Sequence, residues 1–499
     1  MNIQAQPTPM ETRTKAVETG GFAISQWHDT DEVMARLRAL LSQPIRPIRP
    51  ENMEKVLQYF EEKCRGSKEL SDQARKVIPG GVQHNLAFNY PHPLAITGAN
   101  GAHMTDVDGN RYIDFLQAGG PTILGSNYEA VRRQVHELLD SCGPTTGLMH
   151  EYEIKLAELL VKHFPAVEMF RMLGSGTEGV MAAIRVARAH TGKNWVIKMG
   201  GGYHGWSDQM VYGLRVPGTG RRDAIGIPRD CVSRVQESFP HDVNALRRRL
   251  MLNKTRGGTA AVIVEPVGPE SGTRPVYKTF NQEVRTLCDE FDTLLIFDEV
   301  VTGFRLGLSG AQGYFGVNPD LTVFGKALTG GYPMAGGIGG KREIMMNLAG
   351  GIGGSKKGAM VGGTLSANPL SCAAGYFAIR EMEKTNAPVL AGRAGDRLCN
   401  GLKEIIDRLG LPYVAYNQGS IVHLETSGVM LLNANTPLQM IRTLKQAKPR
   451  KHVMEEFGAA YCAHGIVTLA GSRLYTSLAD TDEVIDDALN RFEDVMKLA

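Results

Sequence analysis

Through the middle of the chain, short apolar runs alternate with helical patterns, and this alternation limits the architectures open to it. The stretches "NWVIKM", "AAVIVEPV" and "LLIFDEVV" read as strands. Glu178 to His190 and Asn281 to Phe291 carry helical periodicity. Strands that are apolar on both faces must be covered on both faces, which predicts a mostly parallel α/β sheet under two layers of helices. Outside this region the texture changes. "DTDEVMARLRALLSQ" carries a helical stripe of Val33, Met34, Leu37, Leu40 and Leu41, and "PIRPIRP" after it reads as an extended connector. A second short helix follows, with Val56, Leu57 and Phe60 on one face. These first seventy residues read as an appendage. "GAHMTDVDGNRYIDF" predicts a hairpin about Asp108-Gly109. The last hundred residues return to an α+β texture and close on a helix with Val484, Ile485, Ala488, Leu489, Phe492, Val495 and Met496 on one side.

Composition removes several function classes. The net charge of +3, from 55 basic and 52 acidic residues, is too balanced for a nucleic-acid or membrane surface. Seven cysteines are scattered and never spaced as CxxC, so neither a disulfide framework nor a structural zinc site is expected, and the cytoplasm is the expected home. No apolar run is long enough to span a bilayer, and "MNIQAQPTPMETRTK" lacks a signal-peptide core.

Lys326 stands apart. From Leu321 to Gly340 it is the only charged side chain, set among apolar residues and glycines in "LTVFGKALTGG". Either it snorkels from a strand end, or its nitrogen does chemistry. "LLIFDEVVTGF" ends a strand in Asp298 and Glu299, where open α/β sheets collect ligands; capping a helix or pairing an arginine is the alternative duty. In "LGSGTEGVMAAIRVARAHTG" a helix opens after a glycine turn. Its first N–H groups, with the Ser175 and Thr177 hydroxyls, make a phosphate cradle or an ordinary N-cap. "MGGGYHGWSD" sets Tyr203 among glycines, where it can stack on a flat ring or simply fill a core. Together these parts match the needs of pyridoxal 5'-phosphate (PLP), which is held by its phosphate, by a lysine and by an acid at the ring nitrogen. Apolar surroundings would favour the unprotonated, nucleophilic lysine.

From about Ser71 to the C-terminal helix the chain resembles the class III, fold type I, PLP-dependent aminotransferases. The glutamate-1-semialdehyde 2,1-aminomutases are the most similar group within them. The resemblance rests on "DVDGNRYIDF", "GSGTEG", "GGYHG", "VIVEPV", "IFDEVVTGFR", "LTVFGKALTGGYP" and "GGTLSANPL". It implies an α/β fold with a large domain built on a mostly parallel, seven-stranded-type sheet, and a smaller α+β domain drawn from both chain ends. The corresponding division is a helical arm over 1–70, the small domain's first part over 71–125, the large domain over 126–380 and the remaining small domain over 381–499. It further implies that Lys326 is the Schiff-base lysine, that Asp298 partners the ring nitrogen, and that Val300 and Tyr203 flank the ring. Ser175, Gly176 and Thr177 would hold the phosphate, joined by Thr364 from a second subunit of a homodimer. His204 and Glu265 are placed near the cofactor.

The departures concern substrate. Where the aminomutases carry a carboxylate-binding arginine after "PGGV", this chain has Ala87, which removes a charge-assisted contact. Glu270 stands where they have an asparagine. Arg473 in "TLAGSRLYTS" is a candidate replacement anchor or a surface arginine, and His84 and Trp206 are further candidate substrate residues. "GGIGGSKKGAMVGG" before Thr364 reads as a lid or a plain loop. The expected function is amino transfer between an amine or amino acid and a keto or aldehyde acceptor. The alternatives are intramolecular transfer as in the aminomutase, racemisation or epimerisation, and a non-catalytic cofactor-binding relative.

Overall fold

A computed structural model describes residues 21–87, 89–349, 358–433 and 437–499. The large sheet has seven strands, as the resemblance implies. In chain order with the small-domain strands they follow β1 (Ile96–Asn100), β2 (His103–Asp106) and β3 (Arg111–Asp114). They are β4 (Met169–Leu173), β5 (Trp195–Met199), β6 (Val235–Ser238), β7 (Thr259–Val264), β8 (Leu294–Asp298), β9 (Leu321–Gly325) and β10 (Gly336–Gly340). Their spatial order is β4-β10-β9-β8-β7-β5-β6. Every pairing is parallel except those of β10 with β4 and with β9. The strands β5, β7 and β9 are buried at every position, which is why they read as mainly apolar runs, Lys198 of β5 being the charged exception.

Strand β10, "GGIGG", was not legible as a strand, because glycine has little strand propensity. Its composition follows from close neighbours on several sides. A Cβ on Gly336 would meet the Ser175 backbone at the N-cap of the helix Gly176–Thr191, which crosses the strand. A Cβ on Gly339 would stand 2.8 Å from Val167. A Cβ on Gly179 would stand 2.8 Å from the Gly337 carbonyl oxygen, and a Cβ on Gly337 would enter the Phe170 ring. The crossing places that helix's N-terminus over the end of the sheet where the site forms.

The small domain does draw on both chain ends. Short strand Ile466–Val467 joins β3 in parallel register, Ile466 opposite Ile113, and completes the sheet that begins with the predicted hairpin. A second, three-stranded sheet is made by Val414–Gln418, Ile421–Glu425 and Arg473–Tyr475. The first helices, α1 (Thr30–Ser42), α2 (Pro50–Lys63) and α3 (Arg65–Ala74), were expected to form an appendage. Instead Val33, Leu37, Leu40, Met53, Val56 and Phe60 are buried in one core with Leu398, Leu402, Phe457 and Phe492 from the C-terminal third. The "PIRPIRP" connector is extended as expected, but it buries Ile48 and opens α2 with Pro50. No helix among the described residues is long and apolar enough to cross a membrane.

Phe60 tests this packing. It is 2% exposed and meets His92 edge-on at 5.5 Å. Phe60→Ala should lower unfolding stability by about 3 kcal/mol, measured in urea melts. A loss under about 0.5 kcal/mol would mean that α2 is a detachable arm.

Candidate active site

The site lies beyond the carboxyl ends of β5, β7, β8 and β9, which run side by side in one direction. Asp298 ends β8 and is 5% exposed. Its Oδ2 lies 2.7 Å from Nδ1 of His204, and its Oδ1 accepts the Val300 N–H at 3.1 Å. Burial pulls the His204 pKa down, against the opposing pull of Asp298, so the ring is neutral near pH 7. A carboxylate can only accept, so Nδ1 carries the proton of the neutral ring and donates it to Asp298. Glu299 faces the other way. It accepts the Ala311 and Gln312 N–H groups and the Thr302 hydroxyl, so the paired acids divide into one for the site and one for the scaffold.

Lys326 follows Gly325 at the end of β9 with φ 44°, a left-handed turn at a non-glycine residue, and is partly buried. Such a conformation costs on the order of 1 kcal/mol and persists where the surroundings enforce it. Val300 supplies part of that enforcement. A Cβ on Gly325 would stand 2.9 Å from its Cγ1, and a Cβ on Gly176 would stand 2.7 Å from its Cγ2. Val300 therefore packs between the lysine-bearing strand end and the first turn of the helix Gly176–Thr191.

That first turn is shaped by its N-cap. Ser175 is the extended N-cap, and its hydroxyl accepts the Glu178 N–H at 3.3 Å. The N–H groups of Gly176 and Thr177 lie in the first turn, without intrahelical acceptors, at the positive end of the helix dipole. The loop carrying Tyr203 and His204 presses on the same turn: a Cβ on Gly205 would come 2.8 Å from Cα of Thr177. Tyr203 is 51% exposed, so it does not fill a core. Burial of its inner part, with the charges of Glu270 and Asp298, raises its phenol pKa.

Glu265, expected near a cofactor, instead turns both oxygens onto backbone. Oε1 accepts the N–H groups of Tyr203 and Glu270, each at 2.9 Å, and Oε2 accepts that of Ser271 at 2.7 Å. Glu270 in turn reaches Arg473, with Oε1 3.0 Å from Nη2. Arg473 is 8% exposed, which removes the surface-arginine reading. Burial opposes its charge, but Tyr475 and Glu270 overcome that and raise its pKa.

Two residues escaped the sequence reading. Tyr475 is fully buried, with its hydroxyl 3.4 Å from Nη1 of Arg473 and its ring 4.8 Å from the Arg305 guanidinium. Burial would raise its pKa, yet Arg473, Lys326 and Arg305 hold it below the ordinary phenol range. Arg305 donates to the Gly120 and Thr476 carbonyls and to the Gln117 side chain, tying the large domain to both small-domain segments. Its signal was the arginine inside "VVTGFRLG", an uncompensated charge in an apolar run.

The other expected residues lie further out. His84 is exposed and accepts the Leu86 N–H of its own turn through Nδ1, and Trp206 is 76% exposed. Thr364 is exposed beside Gly363. Residues 350–357 of the expected lid lie outside the described residues.

The family model for class III aminotransferases matches residues 86–496. The chain belongs to this family. It is 40% identical over 362 residues to glutamate-1-semialdehyde 2,1-aminomutase 1 of Lachnoclostridium phytofermentans, covering 71% of this chain and 82% of that protein. Among solved structures, an omega-transaminase from Sphaerobacter thermophilus superposes with a TM-score of 0.77 at 27% identity, over 88% of this chain and 98% of that one. A glutamate-1-semialdehyde aminomutase from Pseudomonas aeruginosa PAO1 shares the fold at a TM-score of 0.77 and 22% identity, over 93% and 99% of the two chains. The chain is thus a PLP-dependent enzyme of the transaminase or aminomutase kind, and the residues fit that cofactor. The helix N-terminus suits its phosphate, Asp298 with its His204 donor suits a protonated ring nitrogen, and Lys326 supplies an amine from the adjoining strand.

The Gly176–Val300 approach is testable. Gly176→Ala should weaken PLP binding about tenfold or more in titrations of the stripped protein, because its Cβ displaces Val300 or the first helical turn. Gly98→Ala, with nothing within 4 Å of its Cβ, serves as the control. Equal affinities for the two variants would contradict the assignment of the cradle.

Proposed function

We propose that the chain is an intermolecular aminotransferase acting on a carboxylate-bearing amine or amino acid, with a keto or aldehyde acceptor. The observation that carries this reading is the ion pair of buried Arg473 with part-buried Glu270, combined with Ala87 where the aminomutases carry an arginine. PLP, when bound, supplies an aldehyde for amine exchange and a ring that withdraws electrons from the substrate carbon. The protein's own groups do the rest. Lys326 Nζ would take the proton from the amine-bearing carbon and return it on the cofactor side. Asp298, oriented by the His204 N–H, would face a proton on the ring nitrogen. The helix N-terminus would hold the phosphate, and Tyr203 and Val300 would confine the ring.

Arg473 gives the site its charge logic. While paired to Glu270 it presents no net charge to a ligand. A substrate carboxylate must take over Nη2, which requires Glu270 to turn away. His84 and Trp206 belong to the outer rim in this reading, and Thr364 to contacts with a second subunit. Exposed apolar side chains beside it, Leu148 at 81%, Met149 at 80% and Met360 at 86%, support a homodimer built on this face. The cytoplasm remains the proposed compartment.

The aminomutase reading is favoured by the curated relative at 40% identity. A crossover experiment separates the two. With a ¹⁵N-labelled amino donor and an unlabelled acceptor, intermolecular transfer places the label in the product and leaves a keto acid in solution. Label confined to the starting molecule would support the aminomutase. In the same assay Arg473→Ala should raise KM for carboxylate-bearing donors by about tenfold or more, with a smaller change in kcat. An unchanged KM would remove Arg473 as the anchor.

A further inference from the structure

Both oxygens of Glu265 are turned onto backbone N–H groups, and the residue stands where three parts of the site meet. It directly follows β7, is 7% exposed, and gathers N–H groups from two separate segments. One is the loop after β5, through Tyr203. The other is the turn Glu270-Ser271, whose residues are consecutive non-glycines with φ of 57° and 56°. Successive N–H groups in such a turn converge into an anion-binding concavity, and here the anion is internal: the Glu265 carboxylate. The backbone orientation held in this way sends the Glu270 side chain toward Arg473, 3.0 Å from Nη2.

We propose that Glu265 is a positioning residue: its carboxylate couples the Tyr203 loop to the Glu270 turn and thereby sets the Glu270–Arg473 pair that reads the substrate's carboxylate. This rests on the aminotransferase reading for its substrate consequence, but the coupling itself does not. A residue that only filled space would serve as well with an amide, since glutamine has the same shape. The proposed role does not tolerate glutamine. Its NH₂ group would face a backbone N–H, leaving at least one of the three donors without an acceptor.

The test is hydrogen–deuterium exchange on the full-length holoenzyme, comparing wild type, Glu265→Gln and Glu270→Gln. Coupling predicts that Glu265→Gln accelerates exchange at the 200–206 and 266–273 segments together, while Glu270→Gln leaves the Tyr203 amide protected. Acceleration confined to one segment, or in neither, overturns the proposal, and this arm needs no substrate. The kinetic arm predicts that Glu265→Gln raises KM for a carboxylate-bearing donor about fivefold to tenfold, with kcat changed less than threefold. KM for a carboxylate-free amine stays unchanged, and the effect disappears on an Arg473→Ala background. Equal losses with both donors, or an effect that persists without Arg473, would reduce Glu265 to a structural residue. Should Glu265→Gln fail to fold, Glu265→Asp, which shortens the reach by one methylene, is put through both arms with the same criteria. A wild type that transfers no amino group would remove the functional reading and leave the exchange result to decide the coupling.

Discussion

The packing of Val300 between two glycines is the contact on which the site depends. Its two methyl groups occupy the places where side chains at positions 176 and 325 would begin. Through it the first turn of a helix, the end of β9 and the residue two beyond Asp298 become one packed unit. Protein interiors transmit sub-ångström displacements because they lack free volume. The first helical turn, Asp298 and Lys326, set into such a unit, keep their spacing through packing. Gly205 against Thr177 adds the aromatic-bearing loop to the same unit by the same means.

A second constraint is electrostatic. Asp298, Glu265 and Glu270 approach one another closely enough that the first and third raise the pKa of Glu265, on top of its burial. Carboxylates so placed need compensation. Each receives a different kind: an imidazole N–H for Asp298, three backbone amides for Glu265, and a guanidinium for Glu270. This division permits different duties in one small volume. The second acid shapes backbone, while the first and third are held by side chains.

Much of this was legible in the sequence, and what was not had physical reasons. The strands β5, β7 and β8 announce themselves because burial on both faces demands continuous apolar runs. Lys326 stands out because nothing nearby accounts for a charge. The hairpin about Gly109, which has φ of 84°, was legible from its turn chemistry. The glycine strand β10 was not, since its composition answers to close neighbours, the Ser175 backbone and the Phe170 ring of β4 among them, and not to strand propensity. The amphipathic stripes of α1 and α2 show that one face is covered, but they say nothing of what covers it. The cover is formed largely by residues more than three hundred positions away in the chain, Leu398 and Phe457 among them. The Glu270–Arg473 pair is hidden for the same reason, its partners being 203 positions apart. The contacts of Glu265 depend on how two loops fold back, which no local pattern encodes.

The central claim is that the side-chain nitrogen of Lys326 is the group that joins PLP. Borohydride reduction of the holoenzyme, followed by proteolysis and mass spectrometry of the peptides, tests it most directly. The account predicts a single reduced phosphopyridoxyl adduct on the peptide containing Lys326. An adduct on another lysine, the buried Lys198 included, or no adduct in cofactor-saturated protein, would contradict it.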